Sequence, residues 1–431
     1  MDSKKSTEAA EKEKAEPKKV SKSAENKSSS KEKAKKTDND KSTSVTAAAA
    51  APVKPYFAGI DIVKILAVFL VVSVHFFLYN GFYYEPLNTT SAYGPIAFRW
   101  LAYICVPLFM ISTGYLMKNK TFSGKYYLGL IKIIVIYIFI SILCIKFKEH
   151  HFHEEFDAWK TLRGYIDTYT NAQYGWYINY YIAIFLMIPF LNLAFNGCKT
   201  KGQKFALVAT FTLLTIVARS FFLGFDRDDQ IRALPDYLNG AWPIAYYYAG
   251  AFIRDCPPKR CFRNKAIIFG VLCLATWFIT YSTYIQTQKD AINDYHFVSW
   301  HFNDYGTYPV FAMAVCVFLL LFDITTTNKG VKFVLRQLSG ITLSLYMISY
   351  IFDNMFYGGW QMNETSVRHQ GFCEKYLTVG ERLAHWYEII PKVFFCSLIC
   401  AIIIHKLYDG AAYLVKQGIE AIKAEKAARD E

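Results

Sequence analysis

From residue 58 onward the chain is a succession of apolar runs, at roughly 58–80, 94–117, 126–146, 173–195, 204–223, 240–254, 266–286, 307–324, 338–356 and 386–408. A helix needs about 20 apolar residues to cross roughly 30 Å of hydrocarbon, and in lipid its backbone groups must be paired within the segment. Most of the runs meet that length. With 53% hydrophobic and 17% aromatic residues against 19% charged ones, the chain holds more apolar surface than a soluble domain buries. The expected fold class is therefore an all-α integral membrane protein of about ten transmembrane helices, a multi-pass protein of the cell membrane with lipid as its solvent. The sixth run is short and carries Pro243 beside Tyr246, Tyr247 and Tyr248, so a tilted or broken helix is expected there.

Loop charges orient the bundle. The segments after runs two, four, six and eight hold Lys118, Lys120 and Lys125; Lys199, Lys201 and Lys204; Arg254, Lys259, Arg260, Arg263 and Lys265; and Lys329, Lys332 and Arg336. Such segments stay in the cytoplasm. The alternate segments carry mixed or acidic charge, as in Glu149, Glu154, Glu155 and Asp157. An even number of spans then leaves both termini cytoplasmic. Residues 1–54 are rich in Lys, Glu, Ser and Ala and hold no aromatic residue. They bury too little to offset chain entropy, so they read as a disordered cytoplasmic tail without the apolar core of a signal peptide. Residues 55–410 form the membrane domain and 411–431 a short cytoplasmic segment, in which Lys416 to Glu431 reads as a short amphipathic or frayed helix.

The net charge of +13 resides in the tail and in alternate loops, not on one basic face with interleaved aromatics, and nucleic acid is not an expected partner. Most of the ten cysteines, among them Cys105, Cys144, Cys273, Cys316, Cys396 and Cys400, fall inside apolar runs, where they act as small hydrophobes and form no disulfide framework. No phosphate-binding glycine loop or HExxH is present, and the adjacent His150, His151 and His153 lack the spacing of a built metal site, so no metal is expected.

The first run, GIDIVKILAVFLVVSVHFF, contains Asp61, Lys64 and His75. Ionisable side chains at membrane depth cost several kcal/mol unless paired or facing a wet cavity, which makes them candidate functional residues. Lys64 and His75 are eleven residues apart, close to three turns, so they share one helix face about 16 Å apart along the axis, and Asp61 joins that face. A neutral imidazole there can take a proton from a hydroxyl near pH 7. The bland alternative also stands: a histidine bonded to a neighbouring helix, and a lysine reaching the interface. The outward loops are dense in Tyr, Trp, His, Asn and Asp, which suits either sugar rings or an interfacial aromatic belt.

These residues lead to a family. The first-run pattern of a basic residue, ten intervening residues and a histidine, at Lys64 and His75, resembles the acyltransferase 3 family of membrane acyltransferases, many of which O-acetylate surface polysaccharides or wall glycans. The likeness runs from about Tyr56 to Tyr408. VPLFMISTGYLM, Val106 to Met117, resembles the family's second-span segment, with Thr113 and Gly114 at its hydroxyl and glycine positions. Lys132 stands where an arginine is commoner. YGWYINYYIAIFLMIPFLN, Tyr174 to Asn192, resembles the aromatic segment that enters the membrane from outside. In SGITLSLYMISYIF, Ser349 occupies a position that often holds a second histidine, so a relay through two histidines is not expected.

The resemblance implies an O-acetyltransferase-like enzyme with no bound cofactor. Its donor is acyl-CoA, expected to be acetyl-CoA, reached from the cytoplasm; its acceptor is a hydroxyl of an extracytoplasmic glycan or cell-surface polysaccharide. His75 is the expected base or transient acyl carrier, with Lys64 and Lys132 holding the donor's negative charge and Asp61 paired with Lys64. Tyr79, Asn80, Trp176, Tyr177, Asn179 and Tyr180 are expected around the acceptor. A transporter or flippase would use the same intramembrane Lys and His residues as substrate or proton sites.

Overall fold

The structure is a computed structural model that describes residues 56–166, 175–218, 221, 234, 236–258, 264–302, 304–357 and 379–430. The tail expected over 1–54 lies outside the described residues, as do Tyr174, Cys261, Cys373 and the end of the fifth run. The described chain is almost wholly helical: α1 (Gly59–Tyr79), α2 (Tyr93–Tyr103), α3 (Cys105–Met117), α4 (Gly124–Phe152), α5 (Ala158–Ile166), α6 (Trp176–Gly197), α7 (Lys201–Thr212), α8 (Trp242–Asp255), α9 (Lys265–Lys289), α10 (Tyr308–Leu321), α11 (Lys329–Gly340), α12 (Thr342–Phe356), α13 (Val379–Ala384) and α14 (Trp386–Asp430). The one sheet is a two-residue antiparallel pair, β1 (Tyr56–Phe57) with β2 (Thr325–Thr326).

Six helical stretches among the described residues are long and apolar enough to cross a membrane: Gly59–Tyr84, Thr90–Met117, Gly124–Phe152, Trp176–Gly197, Lys265–Lys289 and Trp386–Lys426. The runs read at 204–223, 240–254, 307–324 and 338–356 contain the shorter helices α7, α8, α10 and α12. In the sixth run Pro243 stands in the first turn of α8, where its missing N–H costs nothing. The helix therefore starts at this proline instead of breaking there, and all three tyrosines that follow are buried. The C-terminal helix read from Lys416 is present, not as a short separate piece but as the far end of α14, which runs for 45 residues, about 68 Å.

The basic segments converge at one end of the bundle. Lys118 and Lys204, from the segments after the second and fourth runs, both donate to the carboxylate of Asp255 at the end of α8. These hydrogen bonds, Lys118 first, hold the Asp255 carboxyl below its ordinary pKa. Lys265 pairs with Asp323 at 3.1 Å, and Tyr56, just before α1, lies under Lys332 and Arg336. Helices entering from this end carry polar N-caps, with Ser123, Thr200, Asn264 and Asn328 each accepting from a backbone N–H.

Helix α1 stands at the centre, touching α2, α3, α10, α11, α12 and α14. Beside it α3 and α8 cross at backbone contact. Gly114 faces the backbone of Tyr247 and Gly250 faces the carbonyl of Ile111, with no room for a Cβ at either. The close approach read into Gly114 is thus met by a second glycine on the partner helix. Gly250→Ala would overlap backbone atoms that no rotamer change can move. It is expected to destabilise the bundle by about 1–3 kcal/mol, seen as a lower melting temperature of the purified protein in nanodiscs; an unchanged melting temperature would show that the crossing is slack.

Candidate active site

Helix α12 puts Thr342, Tyr346, Ser349 and Asp353 on one face, since steps of three and four residues follow the helical period. That face meets α1, and the Tyr357 hydroxyl ties the two together by donating to the Val72 carbonyl at 3.0 Å. The result is a pair inside the bundle: His75 Nδ1 lies 2.8 Å from Asp353 Oδ2, with His75 6% and Asp353 0% exposed. Ser349 Oγ lies 3.4 Å from the same oxygen but donates its one hydrogen at closer range to the Tyr346 carbonyl, at 2.9 Å, while Asp353 Oδ1 is buried with no hydrogen-bond partner among the described residues. With the Nδ1 proton given to the carboxylate, Nε2 is the lone-pair nitrogen of the ring.

Three turns toward the basic end, Lys64 Nζ donates to the Ser339 carbonyl at 2.5 Å, and Ser339 Oγ donates to Asp61 Oδ1 at 2.5 Å. Asp61 and Lys64 therefore meet through Ser339, at the end of α11, and not in a direct ion pair. The Ser339 carbonyl is one of the orphan acceptors of a helix C-terminus, a natural seat for a cation. Lys64 lines a cavity of about 260 Å³ together with Ser112, Lys132, Tyr177, Tyr346 and His405. Lys132 pairs with Asp409 at 3.3 Å and sits over the Tyr408 ring, and His405 Nε2 shares a hydrogen bond of 2.7 Å with Ser344. Ser112 Oγ is buried there without a partner. Two cations and several hydroxyls in a recess of this kind can hold the phosphates and polar arm of an anionic ligand.

His75 is not among the residues lining this cavity. Its ring centroid lies 6.4 Å from that of Tyr346, which does line it. The face shared by Lys64 and His75 is real, but one aromatic ring stands between the recess and the imidazole. Tyr177, expected at the outer mouth, also lines the cavity and meets Tyr346 at 5.7 Å.

Of the other residues expected around an acceptor, Tyr79 is buried 6.0 Å from the His75 ring, and Asn80 is buried at the end of α1, where Oδ1 accepts from the Phe82 N–H at 3.1 Å. Trp176 and Asn179 are half-buried, and Tyr180 is exposed and stacked on Trp242. Thr113 donates back to the Phe109 carbonyl of its own helix at 2.8 Å.

Sequence reasoning did not single out Asp353, His405 or Ser339. Asp353 carried the same signal as Asp61, a carboxylate within an apolar run, and His405 likewise lies in the last run.

Fold and site define an integral membrane protein with a buried histidine–carboxylate pair one ring away from a cation-lined cavity. The sequence matches the acyltransferase 3 profile, described as an acyltransferase domain, over residues 57–406. The chain belongs to this family and is a membrane acyltransferase. No curated protein and no solved structure matches it.

Proposed function

We propose that the protein is a multi-pass enzyme of the cell membrane with ten spans and cytoplasmic termini, which moves an acetyl group from cytoplasmic acetyl-CoA to a hydroxyl of an extracytoplasmic glycan. The observation that carries this reading is the His75–Asp353 pair, separated by the Tyr346 ring from a cavity holding Lys64 and Lys132. Lys64, Lys132 and His405 hold the donor's phosphates and arm. Nε2 of His75 takes the proton of the acceptor hydroxyl as its oxygen attacks the thioester carbonyl; the C–S bond then breaks, and the departing thiolate receives that proton. Asp353 keeps the proton on Nδ1 and stabilises the imidazolium between the two transfers. Asp61 positions Ser339, whose carbonyl fixes Lys64. Family membership weighs against transport as the main activity.

The test is transfer of label from radioactive acetyl-CoA to a bacterial surface glycan by the purified protein in nanodiscs, with release of free CoA. A transporter moves its substrate without consuming thioester, so substrate movement with intact acetyl-CoA would overturn the proposal. Lys64→Gln removes one charge-assisted contact to the donor and is expected to raise KM for acetyl-CoA about 10- to 100-fold with little change in kcat. A fall in kcat at unchanged KM would take Lys64 out of donor binding.

A further inference from the structure

At the end of the bundle opposite Lys118, Arg99 of α2 is only 4% exposed and forms no salt bridge among the described residues. Its guanidinium stands over a cage of rings, 4.1 Å from the centroid of Trp100, 4.3 Å from Tyr103, 4.8 Å from Phe297 and 5.8 Å from Tyr83. Nε donates to the Tyr83 hydroxyl at 3.0 Å, while Nη1 is buried with no acceptor among the described residues. The rings offset part of the cost of burying a charge, but beyond the Tyr83 hydroxyl they give the in-plane N–H groups no oxygen. A buried cation with an idle donor edge is an expensive arrangement for packing alone.

A second orphan stands on the turn that carries Tyr83, the hydrogen-bond partner of Arg99. Asn80, whose Oδ1 is taken by the Phe82 N–H, has its Nδ2 buried without an acceptor. Asn80 opens the turn 80–83 and Arg99 bonds its last residue, Tyr83; Tyr83, Tyr103 and Phe297 are each half-buried, so Arg99 lies one side chain below the surface.

The cage also continues toward the reacting centre. Tyr103 stacks on Tyr305 at 4.2 Å, Tyr305 on Trp176 at 5.6 Å, and through Tyr177 and Tyr346 the wall reaches the His75 ring. A planar guanidinium edge takes an oxyanion in bidentate fashion, and aromatic faces beside it take sugar rings.

We infer that Arg99 and Asn80 form an anion-binding subsite, so that the acceptor is a glycan carrying a carboxylate or phosphate group near the hydroxyl that is acylated. The word acceptor rests on the proposed acyl transfer; the anion site itself does not. The test uses the full chain in nanodiscs without acyl-CoA, melted at constant ionic strength in chloride, in inorganic phosphate and in glucuronate, with glucose as the uncharged control. Phosphate or glucuronate, and not glucose, is expected to raise the melting temperature by about 2–4 °C near saturation. A rise with phosphate alone marks a phosphate-bearing glycan, a rise with glucuronate alone a uronate, and a rise with both a site for either oxyanion.

Arg99→Gln should abolish the rise, and Arg99→Lys, which keeps the charge but not the fork, should leave a smaller one. The inference falls if neither anion exceeds chloride in the unaltered protein, or if the rise persists undiminished in either variant. Loss of the anion effect leaves acyl transfer to a neutral glycan standing, and absence of acyl transfer leaves the anion site standing, so the two readings fail separately.

Discussion

Replacing His75 by Ala is expected to lower acetyl transfer by about 10²- to 10⁴-fold, the usual worth of a positioned general base. The size of the effect follows from what surrounds the ring. His75 is buried, its Nδ1 is engaged by Asp353, and it is flanked by the rings of Tyr79 and of Tyr346, the latter also lining the cavity. Alanine also leaves the Asp353 carboxylate without its main partner, which costs stability of its own. His75→Asn separates the two effects. Its side-chain N–H can occupy the Nδ1 position and keep the bond to Asp353, yet it carries no base. The asparagine variant should melt close to the unaltered protein and turn over as poorly as the alanine variant. Turnover within a few-fold of normal in either would remove His75 from the mechanism.

Asp353→Asn is expected to cost about 10²-fold or more in turnover with no loss of stability. The carboxylate is fully buried, one of its oxygens has no partner among the described residues, and the other is held by His75, with Ser349 Oγ 3.4 Å away. Its charge is thus a liability to folding that is offset mainly by the histidine it orients. A neutral amide of the same shape relieves that liability and leaves the ring without the anion that stabilises its protonated form in the transition state. Paired melting and turnover measurements check this. A variant that loses stability but keeps its rate would show Asp353 to be a packing residue.

The first helix was the most legible part of the site, because an ionisable residue in an apolar run is visible in sequence alone and the eleven-residue spacing of Lys64 and His75 fixes their common face. Asp353 and Arg99 carried the same signal. Asp353 lies one helical turn beyond position 349, the place the family pattern marks, and on the same face of α12, where Ser349 Oγ stands 3.4 Å from the carboxylate. Which helix packs on α1 is not written in any local period, since the partner of His75 lies 278 residues downstream. Tyr177 was expected at the outer mouth for a related reason. Helix α6 is apolar nearly all round, so its sequence sets no preferred rotation, and tertiary packing decides which aromatic faces which chamber. The shorter helices α8, α10 and α12 were visible as apolar runs, and their ends were set by Pro243, Pro309 and the break at Ile341.

The Tyr346 ring, between the recess and His75, has a bearing on the cell as well as on the reaction. In the transfer proposed above, a bulky nucleotide carrier and a polar sugar chain would approach from opposite compartments, and only a fragment of a few atoms would have to change hands at the septum. Neither carrier nor sugar would then need to traverse the bilayer. Such a catalyst can modify the outside of a cell from an inside pool.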